Sequence, residues 1–386
     1  MRKINPEIMS WAINWNGYSV DGLLSAFPKL PEWLDGTRQP TFKQLEKFSA
    51  RTHLPVPYFF KDSAPEVRLQ IADFRSTKSS NLYKAPSPEL FDTIDEMLMR
   101  QGWMSDFFSE LGYEKNKIAG LYAECDIDFL NPAGVATNLR QILQLPSNWS
   151  FIDASSMDDA FRILRSAIEK CGISVSVAGY AKGATNRTFD VGEFRGFVLF
   201  DEYAPIIFIN GKDSKFAQLF TLVHELAHLS LGNTGLFDEV SDLEWEPSEE
   251  QFCDKVAAEF LMPADVFVRM WGVNGDKMKV ASKVASKLKV SFVSCIRRAE
   301  ELSLIDKSVF WSLFNTHKKE MDVVVVRLGN GGNYHATKGA NLGSVFTEAV
   351  YLGIQTGRLL YSEAYKLTSM KAETFNKYYH KKGYAL

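Results

Sequence analysis

Residues 215–231 read KFAQLFTLVHELAHLSL, and the placement of polar groups in this stretch decides the fold around it. No polar face interrupts the apolar residues for two turns around His224, Glu225 and His228, which marks a helix buried on all sides. Residues four apart on a helix share a face, so His224 and His228 can aim one ring nitrogen each at a single point. Burying two imidazoles and a carboxylate is unfavourable unless each finds a partner, and a metal ion serves both histidines at once. Zinc accepts imidazole nitrogen at about 2.0–2.1 Å and, in catalytic sites, leaves a position open for water. Glu225, next to the first histidine, is placed to take that water's proton and hand it on to a leaving amine. This HExxH arrangement predicts a zinc metallo-endopeptidase with one Zn2+ per chain, His224 and His228 as ligands and Glu225 as catalytic base.

HExxH supplies two ligands, so a third must come from elsewhere, and Glu246, Glu249, Glu250 and Glu259 are the candidates. The helix SEEQFCDKVAAEFLM (248–262) places Glu250, Asp254, Ala257 and Leu261 along one stripe. Glu250 can therefore reach the metal while Asp254 accepts a hydrogen bond from a ligand imidazole, with Glu249 as the second choice for ligand. A structural zinc is normally closed by four protein ligands, and that reading leaves Glu225 without a task.

Working outward, FRGFVLFD (194–201) and APIIFING (204–211) are rich in Phe, Val and Ile and read as two strands joined through Pro205. ISVSVAGY (173–180) alternates as a third. An extended peptide could add along an exposed edge near either of the first two. Tyr180, Tyr334 and His335 are the candidate oxyanion donors. Helices are expected over 89–112, 131–143, 157–171 and 278–303, where KVASKVASKLKVS has the rhythm of a small helix-turn-helix. DVVVVRLG (322–329) reads as a strand, GNGGNYHATKGANLG (329–343) as a flexible loop, and 344–379 as two or three terminal helices. The Ser- and Pro-rich run 76–90 looks like an exposed connector.

Ahead of all this, NPEIMSWAINW, SVDGLLSAF, LPEWLDG and TFKQLEKFSART form a run of short helices on the scale of a helix-turn-helix. Lys29, Arg38 and Lys43 are its candidate DNA- or partner-binding residues. Residues 1–62 carry eight basic against six acidic side chains, a small excess for a DNA binder, and LPEWLDG is short and acidic. DNA contact and docking on a partner protein are equally compatible with such a module.

The chain has 386 residues, 46% hydrophobic and 24% charged with a formal net charge of -3, which is globular composition without global attraction to nucleic acid or anionic membrane. Its length implies several compact units: a helix-turn-helix domain at 1–62, a helical connector region at 63–150, a zincin-like core at 151–275 and a helical and strand region at 276–386. The fold class expected is α+β, a small mixed sheet plus the HExxH helix, with an all-α domain before it and helices after it. Four scattered cysteines suggest neither disulfides nor a thiolate metal site. No signal-like or membrane-spanning stretch is seen, so the cytoplasm is the expected compartment and no membrane partner is expected.

RTFDVGEFRGFVLFDEYAPIIFINGKDSKFAQLFTLVHELAHLSLGNTG (187–235), followed by EEQFCDKVAAEFLMP (249–263), resembles the ImmA/IrrE family of metallo-endopeptidases. The block from NPEIMSWA to LPVPYFF is similar to the XRE-type helix-turn-helix often fused ahead of that peptidase. The resemblance implies a gluzincin-like ligand set of His224, His228 and Glu250 with Glu225 as base, and Zn2+ as cofactor. It also implies cleavage of a specific DNA-binding repressor, relieving repression of mobile-element, stress or toxin-antitoxin genes. Asp254 and Cys253 stand where the family usually has Asn and Ala or Cys, and Asp can still orient a histidine. The alternative is an antitoxin or transcriptional regulator that acts by binding DNA or a partner toxin, with proteolysis secondary.

Overall fold

The computed structural model describes residues 3–64, 86–232, 247–272, 275–321 and 334–384. The described residues up to 95 form one compact unit and those from 96 onward another.

The first unit is helical: α1 (Pro6–Trp15), α2 (Val20–Leu23), α3 (Leu30–Leu34) and α4 (Phe42–Thr52), then a 3-10 turn over Val56–Phe60. Each longer helix starts where its sequence signals it. Asn5 caps α1 through the Glu7 amide, and Thr41 and Gln44 close a capping box on α4. Ile8, Leu30, Trp33, Phe48 and Phe59 fill the core, with the Phe27, Trp33 and Phe48 rings meeting edge-on or tilted. Trp33 is thus a core residue. The stretch SVDGLLSAF yields only the single turn α2.

The long helix α5 (Pro88–Glu110) begins in the first unit and continues in the second, which leads through α6 (Pro132–Ile142), α7 (Trp149–Ile152) and α8 (Met157–Lys170) to a three-stranded sheet. β1 (Ser174–Ala178) pairs in parallel with β3 (Ile206–Asn210), and β2 (Gly196–Leu199) pairs antiparallel with β3's other edge. β3 is therefore the central strand and cannot take an added peptide strand, contrary to the expectation for APIIFING. β2 is an edge strand whose four residues are all buried. The backbone of β1 is engaged on its other side too, where Arg165 Nη2 donates to Val175 O at 2.6 Å.

α9 (Lys215–Leu231) packs on β2 and β3, and α10 (Pro247–Leu261) packs on α9 and α6. There follow α11 (Ala264–Trp271), α12 (Lys277–Leu288), α13 (Phe292–Glu301), α14 (Lys307–Met321), α15 (Tyr334–Leu342), α16 (Ser344–Gln355), α17 (Tyr361–Thr368) and α18 (Ala372–Lys381). This is mostly helical structure around a small mixed sheet, as an α+β peptidase domain requires. α12 and α13 meet through Lys289 in the left-handed region, the geometry of a tight helix-helix turn.

One expectation fails. Residues 334–342, read as flexible loop, form α15, which packs against β1. Long-range hydrogen bonds stabilise it where local propensity would not: Arg165 Nη2 donates to Ala340 O at 2.9 Å, and Arg100 reaches Asn341 O and Oδ1 at 3.3 and 3.1 Å. The expected strand 322–329, residues 76–85 of the connector, and Glu246 lie outside the described residues. Among the described residues no helix is long and apolar enough to cross a membrane.

Candidate metal centre

α9 is held at both ends. Ser214 caps its start by accepting from the Ala217 amide. At its end Gly232 turns left-handed, and the amides of Gly120 and Tyr122 donate to Leu229 O and Ser230 O at 2.9 and 2.7 Å. Every residue from Thr221 to Leu231 is buried, so His224, Glu225 and His228 face protein on all sides.

α10 brings Glu249, Glu250 and Asp254 to the same place. His224 Nδ1 lies 3.0 Å from Asp254 Oδ1, and His228 Nδ1 lies 3.3 Å from Glu249 Oε1. An Nδ1–H on each ring, donating to its carboxylate, leaves both Nε2 lone pairs bare. Those two nitrogens point at each other across 2.9 Å, and the Glu250 oxygens sit 3.4 Å from His224 Nε2 and 3.1 Å from His228 Nε2. One donor atom from each of His224, His228 and Glu250 thus falls within 4.8 Å of the others.

Three electron-pair donors converging in a buried pocket repel one another unless a cation sits among them, so the donor set fits a metal ion. Burial opposes a charge on His228, but the Cys253 thiol, Glu249 and Glu250 around it outweigh burial and raise its pKa well above the ordinary histidine range. Two imidazoles and one carboxylate, each imidazole backed by a second carboxylate, form a three-ligand set of the kind that leaves room for water.

Asp254 therefore stands beside a histidine of this group, and Glu250 inside it. Glu249, the second choice as ligand, instead backs His228. Its neighbour Cys253 is buried against His228, and burial raises the thiol's pKa. Glu259, another of the four candidates, is taken by Arg298. Tyr180 accepts a hydrogen bond from Lys212 Nζ at 2.8 Å, while the side chains of Tyr334 and His335 are outside the described residues. Lys29, Arg38 and Lys43 are exposed in the first unit, where Arg38 pairs with Glu32 at 3.3 Å.

A residue that pattern reading passed over lies beneath Glu225. A Cβ built on Gly196 would come within 2.6 Å of Thr221 Cγ2, 2.9 Å of Phe208 O and 3.4 Å of Glu225 Cγ. Only glycine lets α9 lie this close to β2 at that point, and a lone Gly inside the apolar run FRGFVLF is the signal that reveals it. Gly196→Ala is expected to lower stability by about 1–3 kcal/mol through overpacking. Urea unfolding measures this, and an unchanged midpoint would mean that α9 has room to spare.

Residues 183–300 match the family described as the IrrE N-terminal-like domain, Peptidase_M78. Residues 342–381 match a domain of unknown function, DUF8813. No curated protein matches the chain. The first match spans β2, β3, α9 and α10, and it supports a metallopeptidase of the ImmA/IrrE kind, a class that implies a metal, typically zinc, and a protein substrate.

Proposed function

We propose that this chain is a zinc-dependent endopeptidase that cuts one regulatory protein, a repressor or related DNA-binding protein, and so relieves repression of mobile-element, stress or toxin-antitoxin genes. The observation that carries the proposal is the convergence of His224 Nε2, His228 Nε2 and Glu250 beside Glu225 on a helix buried along its whole second half. His224, His228 and Glu250 would hold the ion. Zinc in such a site lowers the pKa of a bound water towards about 7 and polarises the carbonyl to be cut.

The remaining work falls to the protein's own groups. Glu225 accepts the water's proton and delivers it to the leaving amine, and its buried, low-dielectric setting strengthens every charge interaction it makes. Asp254 and Glu249 hold the two imidazoles with Nε2 inward, which keeps the donors arranged before the ion arrives. The first unit, through its exposed Lys29, Arg38 and Lys43, serves to dock a partner protein or DNA. Its α3 spans only Leu30–Leu34, with Leu30 and Trp33 in the core and Glu32 engaging Arg38, so it presents little that could read bases.

Metal content by plasma emission spectrometry tests the reading. Native protein purified without chelator is expected to carry about one zinc per chain, and His228→Ala and Glu250→Ala to carry none. Asp254→Ala is expected to weaken zinc affinity by about 10- to 100-fold rather than abolish binding. A metal-free native protein would overturn the proposal.

A further inference from the structure

The last two helices form a second feature, independent of the metal centre. α17 ends at Thr368, Ser369 turns left-handed (φ 51°), and Lys371 enters α18 with extended backbone, so two helices are joined by three residues. Ser369 and Met370 amides close the end of α17 by donating to Lys366 O and Tyr365 O at 3.0 Å each. Ala364, Leu367, Met370, Phe375, Tyr378 and Tyr379 are all buried, which puts the inner faces of both helices and the middle of the turn into one small core. The Tyr365 and Phe375 rings meet edge-on at 5.1 Å across the pair, and Tyr379 Oη donates to Thr347 O at 3.2 Å, fixing α18 on α16. Two short helices sharing a core and joined by a three-residue turn are what a helix-turn-helix requires of its chain.

The outer face of α18 is polar and positive. Ala372, Glu373, Asn376, Lys377, His380 and Lys381 are exposed along it, flanked by exposed Lys366, Lys371 and Lys382. Five lysines on the two helices and their flanks thus accompany two exposed glutamates, Glu373, bonded to Lys377 at 2.6 Å, and Glu363, which accepts from the Leu360 amide at the start of α17 at 3.0 Å. A chain with net charge -3 has concentrated positive charge on one exposed helix that nothing in its own core uses. At ten residues α18 is about 15 Å long, enough to lie in a major groove, whereas α3 is about half that.

We infer that α17 and α18 form a DNA-binding helix-turn-helix, with Lys371, Lys377 and Lys381 on phosphates and Asn376 facing base edges of duplex DNA. The bulk charge of the protein gives no long-range pull towards DNA, so this local patch supplies the counterion-releasing contacts. Asparagine offers the donor and acceptor pair that suits adenine, and lysine neutralises phosphate.

The test is fluorescence anisotropy of a labelled 24-base-pair random-sequence duplex titrated with full-length protein between 50 and 200 mM salt. Lys371, Lys377 and Lys381 replaced together by Ala are expected to weaken binding at 50 mM salt by at least about 10-fold. The same change should lower the slope of log affinity against log salt by about 2–3, roughly 0.9 for each phosphate no longer neutralised. The corresponding Arg variant should bind as the native protein does, and circular dichroism should show both variants folded, since the three side chains are exposed. Lys29, Arg38 and Lys43 replaced together by Ala should change affinity less than about 2-fold, and Glu225→Gln should leave it unchanged, which separates this result from the fate of the peptidase reading. No binding by native protein at 50 mM salt, an Ala variant that binds like native, or loss only in the Lys29, Arg38 and Lys43 variant would each overturn the inference. So would a labelled polyglutamate peptide bound as tightly as the duplex, which would indicate an acidic protein partner.

Discussion

Glu225→Gln is expected to keep its zinc and lose its cleavage, with the rate against a sensitive repressor falling by about 10²- to 10⁴-fold, the usual contribution of a positioned acid–base group. The change is nearly isosteric, and Glu225 stands outside the donor group of His224, His228 and Glu250. Metal content should therefore match the native protein. Glu225 is buried on the side of α9 that lies on Gly196, so the amide occupies the same space but cannot accept a proton. Pairing a metal assay with a time course of substrate cleavage on gels separates the two roles. Cleavage at the native rate by the Gln variant would remove Glu225 from the chemistry and favour a protein that works by binding alone. Loss of both metal and cleavage would instead place Glu225 among the groups that hold the ion.

Arg100→Ala is expected to have the largest effect on stability, about 3–5 kcal/mol, because it strands a buried charge. Arg100 is 2% exposed and pairs with Glu96 at 2.6 Å. Its Nε donates to Leu367 O at 3.2 Å and its Nη1 to Asn341 O at 3.3 Å, while the Nη2 that meets Glu96 also donates to Asn341 Oδ1 at 3.1 Å, and its guanidinium lies over the Phe346 ring at 5.0 Å. Ser369 Oγ also donates to Glu96 at 3.0 Å. Burial lowers the Arg100 pKa while Glu96 raises it, so the carboxylate offsets part of what burial costs the guanidinium. The network joins α5 to α15, α16 and α17, and its loss should loosen the C-terminal helices while leaving the zinc content intact. Urea unfolding with limited proteolysis reads both effects. The double variant Glu96→Leu with Arg100→Met should recover most of the lost stability, since a buried pair can be exchanged for apolar packing with little loss. A single variant within about 1 kcal/mol of native would show that the network contributes little.

The parts of this protein legible in its sequence are those encoded within a few residues. The spacing of His224 and His228, the apolar surround that buries them, and the shared stripe of Glu250 and Asp254 all follow from 3.6 residues per turn. The caps at Asn5, Thr41 and Ser214 follow from side chains that bond the nearest amides.

What tertiary structure alone decided depends on residues far apart in the chain. Neither local pattern nor propensity says that β3 rather than β2 occupies the centre of the sheet, because strand order is set by how distant segments pack. Residues 334–342 looked like loop and became helix, since Arg100 and Arg165 come from other helices to hold Ala340 and Asn341. Glu249 backs His228 only because α10 packs on α9 and brings a neighbouring stripe of that helix to the second imidazole. Which residues are candidate metal donors was thus a matter of helical period. Which carboxylate meets which nitrogen was settled by packing, because side-chain contacts of a few ångströms are fixed only when the helices that carry them have docked.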